Sequence, residues 1–166
     1  MKSFACGPCG LVYHHSPAPA AAGILYHADR IILTKRARPP QQGLYTLPGG
    51  FLEYGESFEG ALARELHEEL NLPVTAPRYL CSHWGEYLYA SILYYTTIAY
   101  FIVHVEEIGP LRANDDVENF TLVHPMEIDL SALAFDGDRV ALTLYCRLMN
   151  SPGSPAAGPG SVPHIP

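Results

Sequence analysis

The sequence is short of basic residues. Ten Lys and Arg stand against seventeen Asp and Glu in 166 residues, which gives a formal net charge of −7 at pH 7. A protein that wraps a nucleic-acid polymer needs a basic stripe that displaces counterions from the phosphates. We therefore expect no nucleic-acid polymer as a partner, although a small phosphorylated substrate can still bind through a bridging metal ion.

Cysteine is also scarce, and long apolar runs are missing. The chain has four cysteines, of which only Cys6 and Cys9 are close in sequence, and this is not the disulfide framework of a small secreted domain. The first ten residues contain no apolar segment of the kind found in signal peptides. No run of 18 residues is apolar enough to span a bilayer. These features predict a cytoplasmic protein with no membrane partner.

The apolar content is that of a folded protein, with 48% hydrophobic residues. We predict one globular domain over residues 1–149, which includes a short Cys-x-x-Cys segment at 1–16. Residues 150–166 form a Pro/Gly/Ser-rich tail that cannot bury enough apolar surface to order itself.

The clearest pattern, Leu47–Leu72, combines a Gly-rich turn with an amphipathic helix. Apolar residues recur every four positions over Phe58–Leu70, which is the stripe of a helix lying on a core. Ser57 is placed to cap the start of this helix. Asn71 tolerates the left-handed conformation that ends a helix, and Pro73 prevents continuation.

Three glutamates, Glu65, Glu68 and Glu69, crowd one edge of the predicted helix. At about 100° per residue, Glu65 and Glu69 fall on the side of the apolar stripe and Glu68 lies at its edge. Like charges three and four residues apart repel, and partial burial strengthens the repulsion. Within the helix only Arg64 can partner a member of the trio, by reaching Glu68 at i,i+4. Because hard carboxylate oxygens prefer Mg²⁺ or Mn²⁺, the pattern predicts a divalent cation at this edge.

Together with four further positions, these residues resemble the signature of the Nudix hydrolases. That signature reads Gly, five residues, Glu, seven residues, Arg-Glu, an aliphatic residue, any residue, Glu-Glu, any residue, Gly and an aliphatic residue. The matching positions are Gly50, Glu56, Arg64, Glu65, Leu66, Glu68, Glu69 and Leu72, while Asn71 stands where the family has Gly.

The resemblance implies an α/β fold, the Nudix α/β/α sandwich with a mixed sheet between helices. It also implies a Mg²⁺-dependent hydrolase that cleaves the pyrophosphate bond of a nucleoside diphosphate derivative such as ADP-ribose, NADH or a nucleotide sugar.

The resemblance assigns roles to the residues of the signature. Glu65 and Glu69 are the first choices as metal ligands, and the carbonyl of Gly49 is the expected backbone ligand. Glu68 is either a further ligand or the general base. Glu56 pairs with Arg64 and orients the catalytic helix.

Other residues are candidates for binding the substrate. Arg36 ends a predicted strand that begins at Arg30, and Arg38 follows it; the two arginines either face the phosphates or are solvated at the strand end. Trp84 and Tyr87 either stack on a nucleobase or pack within a hairpin. Asp115 or Asp116 is either a further acid at the metals, as the resemblance suggests, or an ordinary loop acid.

Three local patterns complete the prediction of the fold. Pro48, Gly49 and Gly50 predict a tight turn before the catalytic helix. Arg78–Trp84 predicts a strand that turns at Gly85 and Glu86, followed by a strand from Ile92 to Val105 buried on both faces. A last helix is expected to be capped by Asp136 or Asp138.

Cys6 and Cys9 form a Cys-x-x-Cys knuckle followed by Gly10. The segment resembles the N-terminal zinc ribbon of the NADH-pyrophosphatase branch of Nudix proteins with its second half missing. Structural zinc takes four ligands, so a single pair leaves both zinc binding and free thiols open. The assembly state is equally open, and a homodimer is one candidate.

Two other functions stay in view. One is a non-catalytic module that binds a nucleotide, and the other is a hydrolase of nucleoside triphosphates or dinucleoside polyphosphates. The intact set of Arg64, Glu65, Glu68 and Glu69 favours the enzyme, because a binding module has no need to retain clustered acids that repel one another.

Overall fold

The computed structural model describes residues 3–74, 76–109 and 111–150. The strands are β1 (Ser3–Ala5), β2 (Val12–His14), β3 (Ala18–His27), β4 (Arg30–Arg36), β5 (Tyr45–Thr46), β6 (Gly49–Phe51), β7 (Arg78–Tyr89), β8 (Ile92–His104) and β9 (Val117–Val123). The helices are α1 (Phe58–Leu70) and α2 (Asp136–Met149), with short 3-10 turns at Pro125–Glu127 and Leu130–Ala132. Apart from Asn150, the predicted tail lies outside the described residues.

Seven strands form one mixed sheet. Strands β5, β4, β3, β8 and β7 follow one another across it, while β6 pairs with β3 and β9 pairs with β4. The central pair, β3 and β8, is parallel, and its neighbours are antiparallel. Strands β1 and β2 form a separate two-stranded sheet.

The two helices cover opposite faces of the sheet. Leu25 of β3 and Phe101 of β8 pack in one apolar cluster with Leu62 and Leu66 of α1. The alternate side chains of the same strands, such as Ile24, pack in a second cluster with α2. Because both faces of the central strands are covered, these strands consist almost entirely of apolar residues. The predicted α/β arrangement, a mixed sheet between helices, is confirmed.

In the described part of the chain, no helix combines the length and apolarity needed to cross a bilayer.

The predicted turn at Gly85 and Glu86 is wrong. Strand β7 continues through both residues to Tyr89, because Gly85 pairs with Thr96 and Glu86 with Tyr95 of β8. The chain reverses later, where φ is 48° at Ala90 and 66° at Ser91. Two consecutive left-handed residues match the twist of a tight hairpin. The hairpin of β7 and β8 is therefore longer than the sequence predicted.

The prediction that the next strand is buried on both faces holds for only part of it. β8 is buried on both faces over residues 99–103, whereas residues 92–95, at the hairpin end, are exposed.

The predicted cap of the last helix is also wrong. Phe135 is the N-cap of α2, and no side chain caps this end. Asp138 is 2% exposed, and its carboxylate accepts hydrogen bonds from Thr46 Oγ1 at 2.8 Å and Tyr100 Oη at 3.1 Å. The Leu47 amide donates to the same carboxylate at 3.3 Å. Asp138 therefore ties α2 to strands β5 and β8 instead of capping the helix.

Burial raises the pKa of Asp138 to about 6, although its hydrogen bonds oppose this shift. The folded protein therefore holds this proton more tightly than the unfolded chain does between about pH 4 and 6. Stability from this group is present below that window and is lost as pH rises through it, by roughly 3 kcal/mol at most.

We predict that Asp138→Asn, which carries no charge at any pH, removes this dependence. Relative to the variant, the wild-type free energy of unfolding should fall from pH 4 to 6.5, as measured by urea denaturation. Asp136→Asn, which alters an exposed acid of the same turn, is the matched control. A constant difference between wild type and Asp138→Asn across this range would contradict the account.

Candidate active site

The catalytic helix predicted from the sequence is α1. The Ser57 hydroxyl accepts a hydrogen bond from the Gly60 amide at 3.1 Å, and Asn71 ends the helix at φ 53° and ψ 36°. Both predicted ends are confirmed. Leu62, Leu66 and Leu70 are completely buried, which fixes the rotation of the helix against the sheet. That rotation decides which way the glutamates point.

The predicted tight turn at Pro48–Gly50 is wrong in part, because Gly49 and Gly50 begin strand β6. They pair with Ala22 and Ala21 of β3. Gly49 has φ 141°, and a Cβ there would collide with the carbonyl oxygen of Ala21. A Cβ on Gly50 would collide with the Glu65 carboxylate. The two glycines thus let the backbone of β6 fit between β3 and the acidic edge of α1, which is formed by Glu65, Glu68 and Glu69.

Glu69 is a buried carboxylate, with a residue exposure of 8%. Its Oε2 accepts a hydrogen bond from the Gly49 amide at 3.0 Å. Burial raises the pKa of Glu69 to about 8, and the charges of Glu65 and Asp116 add to the shift, while the Gly49 amide and Arg36 oppose it. A negative charge at this position therefore needs positive charge nearby.

Arg64 binds the other acids of the cluster. Its Nε and Nη2 donate to the two oxygens of Glu56 at 2.9 and 3.0 Å, and Nη2 also donates to the Phe51 carbonyl at 2.9 Å. Its Nη1 donates to Glu65 at 2.9 Å and to Glu68 at 3.2 Å. Arg64 thus clamps the 51–56 loop onto the helix and holds two of the three predicted metal-site carboxylates.

The pKa values follow this arrangement. Hydrogen bonding to Arg64 lowers the pKa of Glu56. Burial raises the pKa of Glu65, although the contact with Arg64 opposes the shift. Glu65 and Glu69 are therefore the two acids of this edge that the protein itself stabilises poorly as anions.

In the described ranges, no three His, Cys, Asp or Glu side chains are gathered around a point where a metal would sit. The cause is visible, because Glu65 and Glu68 turn towards Arg64 while Glu69 turns towards the Gly49 amide. The donor set nevertheless fits a hard divalent cation. It consists of carboxylates on one edge of the helix beside a glycine backbone. Glu69, the buried carboxylate of the set, is poorly stabilised as an anion unless a cation lies nearby.

The acidic edge forms part of the wall of a cavity of about 1070 Å³. Of the residues predicted from the sequence, those that line it are Arg36, Gly49, Arg64, Glu65, Glu68, Glu69, Trp84, Tyr87, Asp115 and Asp116. Strand β7 contributes Trp84 and Tyr87 to the lining, and the loop before β9 contributes the two aspartates. The structure thus brings most of the predicted site together around one space, with Glu56 just behind it as the partner of Arg64.

Of the two arginines predicted to bind the substrate, only Arg36 lies in the cavity wall. The Arg36 guanidinium lies in the cavity wall, where it donates to the Pro40 carbonyl at 2.7 Å and to the Tyr87 hydroxyl at 3.3 Å. Arg38 is absent from the cavity wall and pairs with Asp116 at 2.6 Å on the surface. Asp116 thus already has a basic partner, whereas no ion pair involving Asp115 is found in the described part of the chain.

Sequence reasoning missed Phe135. The Arg36 guanidinium lies 5.1 Å from the centre of the Phe135 ring, and this ring lies 5.9 Å from that of Tyr87. Phe135 precedes α2 and has no local signal, because it reaches the cavity only through the docking of that helix. It helps to hold Arg36 in the wall by a cation–π contact.

Cys6 and Cys9 lie away from the cavity, in the turn between β1 and β2. Hydrogen bonds from the Leu11 amide and the Cys6 thiol lower the pKa of the Cys9 thiol. Cys81 and Cys146 are partly buried beside the cluster under α2.

A NUDIX domain matches residues 16–144 of the chain. The match covers well over half of the 166 residues, and it contains all of the acidic edge. The chain belongs to the Nudix family, which confirms the resemblance inferred from the signature.

Two curated relatives place the chain within the family. It is 46% identical over 61 residues to an ADP-ribose pyrophosphatase of Methanocaldococcus jannaschii, covering 37% of this chain and 36% of that protein. It is 38% identical over 77 residues to the NAD-capped RNA hydrolase NudC of Edwardsiella ictaluri, covering 46% and 30%. These matches support the ADP-ribose and NADH pyrophosphatase-like branch. The chain spans about a third of the length of these relatives.

Solved structures agree on the fold. A MutT NUDIX hydrolase from Burkholderia pseudomallei superposes with a TM-score of 0.66 at 23% identity, covering 78% of this chain and 98% of that one. The NUDIX domain of Shewanella oneidensis NrtR, complexed with ADP ribose, gives 0.65 at 21% identity, covering 81% and 90%. A bifunctional NMN adenylyltransferase/ADP ribose pyrophosphatase from Francisella tularensis, complexed with AMP and a Mn ion, gives 0.60 at 21% identity, covering 80% and 42%. The Nudix fold is therefore confirmed.

We predict that Arg64→Lys impairs the site without unfolding the domain. Lysine keeps the charge but cannot make the bidentate contact with Glu56, so the 51–56 loop loses its fixed position against α1. Turnover of a pyrophosphate substrate should fall roughly 10- to 100-fold, the scale on which outer-shell partners of metal sites act. Arg30→Lys, which alters an exposed arginine of β4 outside the cavity wall, is the control. Equal turnover in the two variants would contradict the role of the clamp.

Proposed function

We propose that the chain is a divalent-metal-dependent pyrophosphohydrolase that acts on a nucleoside diphosphate joined to a second group. The observation that carries this proposal is the buried Glu69 carboxylate next to Glu65 in the cavity wall. Two acids that the protein stabilises poorly as anions, facing a space large enough for a nucleotide, suit a cation that is shared with substrate phosphates.

Glu65 and Glu69 are the proposed carboxylate ligands of Mg²⁺ or Mn²⁺, with the carbonyl of Gly49 as the backbone ligand. Glu68 is more exposed, with 47% of its side chain accessible, and serves as a further ligand or as the general base. A bound divalent cation neutralises charge on the phosphates, lowers the pKa of the attacking water and aligns the displacement.

The chain's own residues supply position and charge. Arg64, anchored by Glu56, keeps β6 and α1 in fixed register, so the carbonyl of Gly49 and the helix carboxylates stay together. Arg36, held by Tyr87 and Phe135, presents a fixed cation to the phosphates. Asp115 and Asp116 both lie in the cavity wall and are both candidates for an additional acid, and Asp116 also pairs with Arg38.

ADP-ribose is the first candidate substrate, followed by NADH and nucleotide sugars. The cavity, of about 1070 Å³, has room for a nucleoside diphosphate with a second group attached. Trp84 offers an exposed ring for a nucleobase. The relative from Methanocaldococcus jannaschii is an ADP-ribose pyrophosphatase, which supports ADP-ribose as the first candidate.

A non-catalytic nucleotide-binding module is the second candidate. The observation in its favour is that Arg64 already offsets the charge of Glu65 and Glu68, through hydrogen bonds from its Nη1 to both carboxylates. Such a module would bind ADP-ribose without converting it. The cytoplasmic location and the magnesium requirement stay predictions with either function.

We predict that the wild-type chain with Mg²⁺ converts ADP-ribose to AMP and ribose 5-phosphate, and that Glu69→Gln lowers the turnover at least about 100-fold. The glutamine keeps the size of the side chain but removes the charge that a cation requires, and the loss of one charge-stabilising group costs this much in other enzymes. Product formation is followed by chromatography on a panel that also contains NADH, a nucleotide sugar and a nucleoside triphosphate.

Glu59→Gln, which alters an exposed acid in the first turn of α1, is the matched control. Undiminished turnover by Glu69→Gln would contradict the metal role. Binding of ADP-ribose with no turnover of any member of the panel would favour the non-catalytic module.

We predict that Trp84→Ala weakens substrate binding more than it slows the reaction. Trp84 is 65% exposed and lies in the cavity wall, where a base stacked on its ring is worth about 1–3 kcal/mol. KM for ADP-ribose should therefore rise roughly tenfold, with a smaller change in kcat. Tyr54→Ala, which removes a fully exposed ring outside the wall, is the control, and an unchanged KM for Trp84→Ala would place the base elsewhere.

A further inference from the structure

His83 carries a buried polar atom that has no partner. Its Nδ1 is shielded from solvent and makes no hydrogen bond, and it is the only such side-chain atom found over residues 3–74, 76–109 and 111–150. Buried polar groups in folded proteins are nearly always paired, so a free one calls for an explanation. His83 lies on β7 and lines the cavity beside Trp84. The free nitrogen therefore belongs to the candidate active site.

The sheet face that carries His83 offers it no partner. His83 is opposite Ile98 of β8, and Ile98 packs against the apolar cluster under α2. The polar side chains that line the cavity beside α2 are already paired with one another, since the Asp138 carboxylate binds both Thr46 and Tyr100. Within the described part of the chain, nothing competes with a ligand for the ring of His83.

The burial of Nδ1 decides which nitrogen of His83 carries the ring proton. In an uncharged imidazole, one nitrogen donates a hydrogen bond and the other accepts. A buried N–H without an acceptor is rarer than a buried acceptor without a donor, because the orphaned donor is the costlier of the two. We therefore assign the proton to Nε2. Since Nδ1 is the ring nitrogen that is shielded, Nε2 is the one that His83 presents to the cavity as a donor.

The ring of His83 is aligned with that of its neighbour. The planes of His83 and Trp84 are 9° apart, with ring centres separated by 6.3 Å. A base that stacks on Trp84 is thus nearly parallel to the imidazole, which is the orientation that a hydrogen bond from the edge of one ring to the edge of another requires. The next position on the same face of β7 is Gly85, so no side chain closes the space between His83 and Tyr87.

We propose that His83 is a specificity-determining residue whose Nε2–H donates to a ring nitrogen of an adenine stacked on Trp84. The unprotonated ring nitrogens of adenine accept hydrogen bonds, whereas its amino group donates, so a donor at this place reads the ring. The free Nδ1 then has a function, because its surroundings deny it a proton and keep Nε2 a donor. The inference rests on the proposed function, since it takes the adenine end of ADP-ribose as the ligand.

The tautomer is measured first, on the full chain without ligand. Long-range proton–nitrogen correlation spectra of the imidazoles distinguish Nε2–H from Nδ1–H. The signals of His83 are those that disappear in His83→Phe. We expect the Nε2–H form at alkaline pH, and a shift of the Nε2 signal when AMP is added. A proton on Nδ1, or an Nε2 signal that AMP leaves unmoved, would overturn the proposal.

The second measurement removes the acceptor from the ligand and leaves the protein unchanged. Dissociation constants of AMP and of its 1-deaza, 3-deaza and 7-deaza analogues are determined by calorimetry, with a chelator present to prevent turnover. One analogue should bind roughly 3- to 10-fold more weakly than AMP, which is the effect of one neutral hydrogen bond. The other two should bind as AMP does. Equal binding of all four ligands, or equal weakening of all three analogues, would contradict a single bond from His83.

Variants then connect the sensitive ring nitrogen to His83. His83→Phe keeps a ring but has no donor, so it should weaken AMP by the same factor and bind AMP and the sensitive analogue alike. His83→Gln, whose amide nitrogen can take the place of Nε2, should bind AMP nearly as the wild type does. His14→Phe, which alters an exposed histidine of β2 outside the cavity wall, is the control. If His83→Phe still discriminates against the sensitive analogue, another residue reads that nitrogen and the proposal fails.

Turnover of ADP-ribose with Mg²⁺, measured on the same preparation, separates this inference from the proposed function. Absent turnover together with weaker AMP binding by His83→Phe would remove the hydrolase and leave the adenine contact standing. Normal turnover together with unchanged AMP binding by His83→Phe would remove the adenine contact alone. A chain that binds no adenine nucleotide would overturn the inference, whatever other substrate it converts.

Discussion

The site depends on one carboxylate that helix α1 cannot expose. Leu62, Leu66 and Leu70 are completely buried and fix the rotation of the helix, so Glu69 has to face strand β6. There its Oε2 meets the amide of Gly49, in a strand that fits between Ala21 of β3 and Glu65 of α1 only because positions 49 and 50 lack side chains. The glycines, the leucine stripe and the buried acid are therefore one structural unit, and a change in any of them alters the surroundings of the same charge.

Arg64 balances the negative charge of the cluster. Its Nε and Nη2 donate hydrogen bonds to Glu56, and its Nη1 donates to Glu65 and Glu68. A divalent cation beside Glu69 would compete with Arg64 for Glu65, while the contact with Glu56 would persist and keep the loop in place. In the proposed site, Arg64 is thus an anchor for Glu56 and a replaceable partner for Glu65.

Local patterns predicted α1 well, because its caps, its apolar stripe and its acids lie within 25 residues. The same patterns failed where distant segments decide the outcome. Asp138 looks like a helix cap, but its carboxylate binds Thr46, 92 residues earlier in the chain. Gly85 looks like a turn, but its partner Thr96 keeps it in a strand. Phe135 lies at the cavity only because helix α2 docks there. Arg38 lies outside the cavity wall, where it pairs with Asp116.

The central claim is that Glu65 and Glu69 hold a divalent cation beside Gly49. It is tested most directly by an anomalous difference map from crystals grown with Mn²⁺, with and without ADP-ribose. The account predicts a peak bonded to both carboxylates, with Arg64 still on Glu56 but released from Glu65. A map with no peak at this edge, or with manganese elsewhere while Arg64 keeps Glu65, would contradict it.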